Sequence, residues 1–184
     1  DIHGNLPYLK GLLEKAGFSG KDELIINGDF LEKGKHSLAT LRYIMQLTEK
    51  GNVHPLCGNC DDWFGIFRAP SEADEWTLRY VLRKKSGLLW EMCNECGIDP
   101  FEISSLNDCK KELFMSFLEE WRFLSALPHA IETENFIFAH ASMVPGKPLD
   151  EHTVNELVRC DYFLNTGRSF DKWVIVGHTP VMLY

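Results

Sequence analysis

The chain contains 184 residues, 45% of them hydrophobic and 25% charged, which is typical of a folded globular domain and not of a disordered segment. Its 27 acidic residues outnumber its 19 basic ones and give a formal net charge of −8, which argues against a nucleic-acid partner because phosphate backbones attract basic surfaces. No apolar run approaches the roughly 20 residues that cross a bilayer, so we expect no membrane partner either.

The first third of the chain predicts helices and strands in alternation. Residues 6–16 have amphipathic spacing, with a proline near the start and a glycine directly after the end, which predicts a helix. Short apolar runs at 23–27 and 52–56 predict buried strands, and residues 37–49 predict a helix between them. This alternation indicates the α/β (α+β) class.

Residues 61–127 differ in composition from their flanks. They are rich in tryptophan, leucine and charged side chains at helical spacing, with a break near 97–100, and predict two or three helices. Because the stretch begins directly after a polar loop at Asn59, we interpret it as a cap-like insertion, with simple packing into the core as the alternative. The length allows residues 1–184 to form a single domain.

The last third predicts three strands and one helix. Residues 129–133 and Phe136–Ala139 are expected to form a hairpin, residues 153–164 a helix, and residues 173–176 a further strand.

Polar side chains that can bind metal follow four of the predicted strands. They are Asp29, Asn59, His140 and His178. Ligands collect at the carboxyl ends of strands in such folds, and Asp1 and His3 fit the same description if a strand precedes them. Oxygen and nitrogen donors suit Mn, Fe or Zn. Two metal ions need a shared carboxylate, and Asp29 is placed to provide it.

Five short blocks carry a resemblance to a known family. They are DIHGN from Asp1, GDFLEKG from Gly28, GNCD from Gly58, FAHAS from Phe138 and GHTP from Gly177. In their order and spacing they resemble the calcineurin-like metallophosphoesterases, and within them the bacterial serine/threonine protein phosphatase-like branch. The resemblance covers nearly the whole chain. It implies a central β-sandwich flanked by helices, with the helical insertion between the Asn59 and His140 blocks.

The resemblance also implies a binuclear metal centre. It places Asp1, His3 and Asp29 on one divalent ion, and on the other it places Asp29, Asn59, His140 and His178. Mn is favoured over Fe or Zn. The implied activity is hydrolysis of a phosphomonoester, including phosphoserine or phosphothreonine in protein, by a metal-activated hydroxide. The alternatives are a dinucleoside polyphosphate hydrolase, whose branch shares the GHTP block, and a non-catalytic relative that binds phosphate.

The chain departs from the family at positions around the metal ligands. Cys60 stands where the family has the histidine that protonates the leaving group, and Glu32 stands at the position of that histidine's acidic partner. Cysteine is a poorer acid at neutral pH. Asp61, Asp62 or a metal-bound water is therefore an alternative proton donor.

The predicted phosphate contacts also differ. Lys33 stands where the family has its first phosphate-binding arginine. The family also has a second phosphate-binding arginine, and Arg159 lies one residue before the position that corresponds to it. Lysine lacks the bidentate fork that arginine offers to phosphate.

The six cysteines include two Cys-x-x-Cys pairs. The pairs are too far apart for the usual zinc spacing of about 15–20 residues, so we expect reduced thiols in the cytoplasm and no structural zinc site. The family has a strand before its first aspartate and strands after the Thr-Pro block. We therefore expect this sequence to be part of a longer chain.

Overall fold

The computed structural model describes residues 1–63, 82–102, 106–162, 170–180 and 182. The described helices are α1 (Leu6–Ala16), α2 (Ser37–Thr48), α3 (Leu88–Cys96), α4 (Leu106–Ser116), α5 (Leu118–Ala126) and α6 (Val154–Val158), with a 3-10 turn at Leu149–Glu151. The described strands are β1 (Leu24–Ile26), β2 (Val53–Pro55), β3 (Ala130–Glu132), β4 (Phe136–Ala139) and β5 (Trp173–Ile175). These elements confirm the mixed α/β class.

The strands form two sheets, as the expected sandwich requires. β1 and β2 pair in parallel, with Leu24 opposite Val53 and Ile26 opposite Pro55. In the second sheet β4 lies between β3, to which it is antiparallel, and β5, to which it is parallel.

Asn27 joins the two sheets where their strands end. Its Nδ2 donates to the main-chain oxygens of Ala139, at 3.0 Å, and Ile175, at 3.3 Å. Asn27 follows β1, Ala139 ends β4 and Ile175 ends β5. The carboxyl ends of three strands therefore meet at one side chain, and the polar residues that follow them are brought together.

The apolar core consists of two clusters. The larger combines α1, α2, β1 and β2 with α3–α5, and it includes the fully buried Leu113, Phe117 and Trp121. The smaller lies between the second sheet and α6 and includes Ile137 and Val158. Each large apolar side chain stabilises the fold by about 1.5–3 kcal/mol when fully buried. The described helices of residues 61–127 are thus part of the larger core.

Polar contacts also fix these helices to α2. Arg42 of α2 donates to Glu95 of α3 through two hydrogen bonds, of 2.9 and 2.7 Å, and to Glu120 of α5 at 2.8 Å. Glu91 of α3 accepts from the first two main-chain N–H groups of α2. The position of α2, and of the loop that precedes it, therefore depends on the insertion.

Several predicted elements are shorter in the structure, among them the strands predicted at 52–56, 129–133 and 173–176, which cover Val53–Pro55, Ala130–Glu132 and Trp173–Ile175. The strand predicted at 23–27 is limited to Leu24–Ile26, because Asn27 leaves the ladder to bond the other sheet. The helix predicted at 153–164 begins with a capping box between Thr153 and Glu156 but ends at Val158, because Arg159 leaves helical geometry at φ −135°. Predictions for 64–81, 103–105 and 163–164 lie outside the described residues. None of the described helices has the length and apolar character that a membrane crossing requires.

Candidate metal centre and adjoining pocket

Three of the predicted metal ligands have an unusual backbone conformation. His3, Asp29 and His178 have φ values of 51°, 49° and 62°. This left-handed region costs a residue with a side chain roughly 1–2 kcal/mol. Strain of this kind is concentrated at functional sites, where the surrounding structure holds it in place.

Asp29 lies at the centre of the predicted ligands and is 2% exposed. Its Oδ1 is 3.3 Å from His140 Nε2, and its Oδ2 is 3.8 Å from His3 Nε2. Burial raises its pKa, but the main-chain N–H of Cys60, donating to Oδ1 at 2.8 Å, and the nearby His140 outweigh burial and leave the pKa below its usual value. Asp29 is therefore a buried carboxylate that faces both halves of the site.

Close main-chain approach makes this placement possible. A Cβ added at Gly58 would collide with the main-chain nitrogen of Asp29, and a Cβ at Gly28, where φ is 79°, would lie 2.7 Å from His140 Nδ1. Only glycine fits at these two positions.

The histidines on either side of Asp29 are oriented in the same way. Nδ1 of His140 donates to the main-chain oxygen of Asn27 at 2.8 Å, and Nδ1 of His3 donates to that of Leu31 at 3.2 Å. Because a carbonyl oxygen can only accept, these bonds place the ring proton on Nδ1 and leave a lone pair on Nε2. Burial lowers the pKa of both rings, so both are neutral near pH 7. Metal-binding histidines are commonly oriented by such carbonyls.

Electron pairs converge at His140 with no proton between them. Its Nε2 faces Asp29 Oδ1 at 3.3 Å and Asn59 Oδ1 at 3.2 Å, and the His140 side chain is fully buried. At His3, Nε2 accepts from Lys33 Nζ at 2.9 Å and lies 3.4 Å from Asp1 Oδ2. Three acceptors that face one another, two of them buried and the third, on Asn59, half-buried, repel unless a cation lies between them. The residues present therefore fit a divalent metal.

His178 completes the group. Its ring packs edge-on against His140 with centroids 5.1 Å apart, and its main-chain N–H donates to Asp1 Oδ1 at 3.4 Å. One ligand atom from each of Asp29, His140 and His178 lies within 4.8 Å of the others. The structure thus brings all six predicted ligands into one continuous set of contacts.

A cavity of about 280 Å³ opens beside this centre. Its lining includes three cations, namely Lys33, Arg159 and, from the insertion, Lys84. Arg159 Nη1 also lies 3.5 Å from Asp62 Oδ2 at the pocket wall. The predicted phosphate contacts Lys33 and Arg159 therefore lie on one pocket together with Lys84.

Residues 1–182 match the calcineurin-like phosphoesterase family. The chain belongs to this family.

Curated relatives of this calcineurin-like phosphoesterase share one name, bis(5'-nucleosyl)-tetraphosphatase, symmetrical. The protein from Haemophilus ducreyi is 39% identical over 139 residues, covering 62% of this chain and 50% of the relative. Those from Glaesserella parasuis and Shewanella loihica are 42% and 45% identical over 62 residues, covering 33% of this chain and 22% of each relative. The chain spans half or less of the length of these relatives.

In this calcineurin-like phosphoesterase the Glu32 carboxylate forms hydrogen bonds with residues of the insertion. Its Oε1 accepts from the indole nitrogen of Trp63 at 3.1 Å and from the main-chain N–H of Leu88 at 3.0 Å. Burial raises the pKa of Glu32. These contacts make the carboxylate an anchor between the loop after β1 and the start of α3. A catalytic role for Glu32 remains a prediction.

Asp61, an alternative proton donor in the sequence analysis, lies beneath the site. It is 1% exposed, and its oxygens accept from the main-chain N–H groups of Phe30, Leu31 and Gly58 at 2.9–3.1 Å. Burial raises its pKa to about 7 in spite of these donors. The contacts show that Asp61 ties the Asp29 loop to the Asn59 loop.

Cys60 lies in the centre itself. One ligand atom from each of His3, Asp29 and Cys60 lies within 4.8 Å of the others, and Asn59 Nδ2 donates to Cys60 Sγ at 3.5 Å. Burial and the charge of Asp29 raise the pKa of the Cys60 thiol to about 12. A thiol this weakly acidic is a poor proton donor to a leaving group at neutral pH.

Asp161 was also missed by sequence reasoning. Its Oδ1 accepts from Thr179 Oγ1 at 2.6 Å and lies 3.9 Å from His178 Nε2. It therefore fixes the GHTP loop next to a predicted ligand. Nothing in the local sequence marks it, because its partners lie 17 and 18 residues away along the chain.

Proposed function

We propose that this chain hydrolyses phosphoric anhydrides in a metal-dependent reaction, with a dinucleoside tetraphosphate as its substrate. The observation that carries the metal dependence is the convergence of electron pairs from the buried His140 and Asp29 and the half-buried Asn59. The name shared by the relatives supports the substrate class.

The residues that would hold two divalent ions are those that the resemblance implies. Asp1, His3 and Asp29 would bind one, and Asp29, Asn59, His140 and His178 the other. Such donors accept Mn, Fe or Zn. When bound, the ions neutralise charge on the phosphate and activate the water that hydrolyses it.

The pocket favours an extended polyphosphate over a single phosphate group. Lys33, Lys84 and Arg159 place three cationic side chains around a cavity of about 280 Å³, which the carboxylates of Glu32 and Asp62 also line. A single terminal phosphate has room for only a few such contacts, whereas the cationic side chains can contact successive phosphate groups of a polyphosphate chain. These side chains would bind the phosphates and orient the bond to be broken.

The residues near the leaving group support the same substrate. An alcohol such as serine leaves as a strongly basic alkoxide and requires protonation. A phosphate leaving group is far less basic and needs no general acid. The weakly acidic Cys60 thiol, the Glu32 carboxylate bound to Trp63 and Leu88, and the enclosed Asp61 therefore suit an anhydride better than a phosphoserine ester.

Two other functions remain as alternatives. A phosphomonoesterase acting on phosphoserine or phosphothreonine would need one of the predicted proton donors, such as Asp61, Asp62 or a metal-bound water, to protonate the leaving group. A non-catalytic phosphate-binding protein would use the same pocket cations without turnover, and the replacement of the family histidine by Cys60 is the feature that favours it.

A comparison of two substrates tests the proposal. The metal-free chain is supplied with Mn²⁺ and assayed on bis(5'-adenosyl) tetraphosphate and on a phosphoserine peptide, beside Asp29→Asn and the remote carboxylate variant Asp22→Asn. We expect the anhydride to be preferred by about tenfold or more in kcat/KM, with activity lost only in Asp29→Asn. Preference for the peptide would support the phosphomonoesterase, and metal binding without turnover of either substrate would support the phosphate-binding protein.

A further inference from the structure

Cys60 lies among the predicted metal ligands without being one of them. Its Sγ and one ligand atom from each of His3 and Asp29 lie within 4.8 Å of one another. In the part of the chain that the structure describes, two groups of three side chains have this arrangement, and Cys60 is the only cysteine in either.

We propose that Cys60 is itself a metal ligand, so that its thiolate joins His3 and Asp29 on one divalent ion and makes that site selective for thiophilic metals. The inference shares its metal centre with the proposed function. It concerns which atoms bind the ion, and it can be tested without turnover.

The main chain fixes Cys60 against the central carboxylate. Its N–H donates to Asp29 Oδ1 at 2.8 Å, and its Sγ lies within 4.8 Å of a carboxylate oxygen of Asp29. A short side chain attached at this point has little choice of direction.

The neighbouring asparagine divides its two amide atoms between the two halves of the centre. Asn59 Nδ2 donates to Cys60 Sγ at 3.5 Å, while Asn59 Oδ1 lies 3.2 Å from His140 Nε2. A donor aimed at sulfur stabilises a thiolate more than a thiol. The Asn59–Cys60 dipeptide therefore supplies a hard oxygen donor to one half and a soft sulfur donor to the other.

The chemistry of ligation is a proton-for-metal exchange. The S–H bond of Cys60 breaks as the S–metal bond forms, the proton passes to the buffer, and no electron is transferred. Thiolate is a soft ligand that favours Zn²⁺ and Co²⁺ over Mn²⁺, whereas the remaining carboxylate, amide and imidazole donors do not discriminate strongly. A metal preference is thus the expected consequence of Cys60.

The other described cysteines have different surroundings. Cys57 is buried and donates to the main-chain oxygen of Gly58. Cys93 and Cys109 are buried beside each other between α3 and α4. Cys160 accepts a hydrogen bond from Asn155 Nδ2 at 3.3 Å. Cys96 lies in α3, away from the site residues, and serves as a matched control.

Cobalt spectroscopy tests the proposal directly. The metal-free chain is titrated with Co²⁺, and the near-ultraviolet band of thiolate-to-cobalt charge transfer is recorded for the wild type, Cys60→Ser and Cys96→Ser. We expect the band in the wild type and in Cys96→Ser and its loss in Cys60→Ser. Binding of Co²⁺ by the wild type without this band would overturn the proposal, as would a band that persists in Cys60→Ser.

Metal affinities and protection from alkylation provide two further tests of Cys60 as a ligand. We expect Cys60→Ser to weaken Zn²⁺ binding by roughly 10–100-fold and Mn²⁺ binding much less, and equal losses for both ions would contradict the proposal. If Cys60→Ser does not fold, the proposal is tested by alkylation of Cys60 in the wild type with and without Zn²⁺. We expect Zn²⁺ to protect Cys60 from alkylation, and unchanged labelling would overturn the proposal. If the chain hydrolyses the tetraphosphate but shows no charge-transfer band, Cys60 is not a metal ligand, whereas the proposed function is still supported.

Discussion

Asp61 shows how one buried side chain can set the geometry of a site that it does not enter. Its Oδ1 accepts from the N–H groups of Phe30 and Leu31, and its Oδ2 accepts from that of Gly58. These main-chain groups directly flank the predicted ligands Asp29 and Asn59. The carboxylate is acceptor-only, so it can satisfy all three donors at once.

Replacement of Asp61 by asparagine is therefore expected to be costly. The amide keeps one oxygen but turns an NH₂ group toward a main-chain N–H, which leaves buried donors facing each other. We expect the free energy of unfolding to fall by about 1–3 kcal/mol, measured by urea denaturation, and Mn²⁺ affinity to fall with it.

The neighbouring carboxylate provides the control for stability. Asp62→Asn removes only the partly exposed contact with Arg159, at 3.5 Å, which is expected to contribute about 1 kcal/mol or less. Equal losses in Asp61→Asn and Asp62→Asn would contradict the structural role given to Asp61.

At the scale of residues, the sequence predicts some candidate ligands but not the hydrogen-bond partners of other site residues. The ligand candidates Asp29 and His140 could be predicted because each follows an apolar run that becomes a strand. The partners of Glu32 could not, because Trp63 and Leu88 lie 31 and 56 residues away and no local pattern links them. Side chains that act through long-range hydrogen bonds leave no periodic signal.

At the scale of elements, α2 depends on a cap from another helix. Its N-cap residue, His36, makes no side-chain capping bond. Instead Glu91 of α3 accepts from Ser37 N–H at 2.8 Å and Leu38 N–H at 2.9 Å. A carboxylate at this end of a helix satisfies otherwise unpaired donors and is favoured by the helix dipole.

Removal of this cap is expected to destabilise both α2 and the insertion. For Glu91→Ala we expect a loss of about 0.5–2 kcal/mol in the free energy of unfolding, measured by thermal or urea denaturation. The comparison is Glu95→Ala on the same helix, which leaves Arg42 its hydrogen bond to Glu120. A loss in Glu91→Ala no larger than in Glu95→Ala would exclude the capping role.

Element boundaries were predicted well where local sequence decides them. Helix α1 has the predicted bounds, because Gly17 adopts φ 68° and ends it. Helix α6 is shorter than predicted, since its apolar spacing continues past the point where Arg159 leaves helical geometry. The cap from Glu91 to α2 could not be predicted, because it joins residues 53 and 54 positions apart.

At the scale of the whole molecule, the candidate metal centre joins the two apolar clusters. Asp29 follows β1, which packs in the larger cluster, whereas His140 follows β4, which packs in the smaller. His178 follows β5, at the far end of the sequence. Among the described residues, Asn27 provides a further bond between the sheets close to this point. Bound metal would therefore cross-link parts of the chain that otherwise share few contacts.

Metal binding is accordingly expected to stabilise the chain as a whole. A ligand that binds only the folded state stabilises it by about 2.7 kcal/mol at 100 times its Kd and about 4.1 kcal/mol at 1,000 times. We expect Mn²⁺ or Zn²⁺ to raise Tm and to slow amide hydrogen exchange in β4 and β5 as well as in β1. In Asp29→Asn, which loses the carboxylate shared by both halves, both effects should disappear, while Asp22→Asn should retain them. A Tm that rises equally in Asp29→Asn, or protection confined to β1, would show that the ions bind elsewhere or do not join the two clusters.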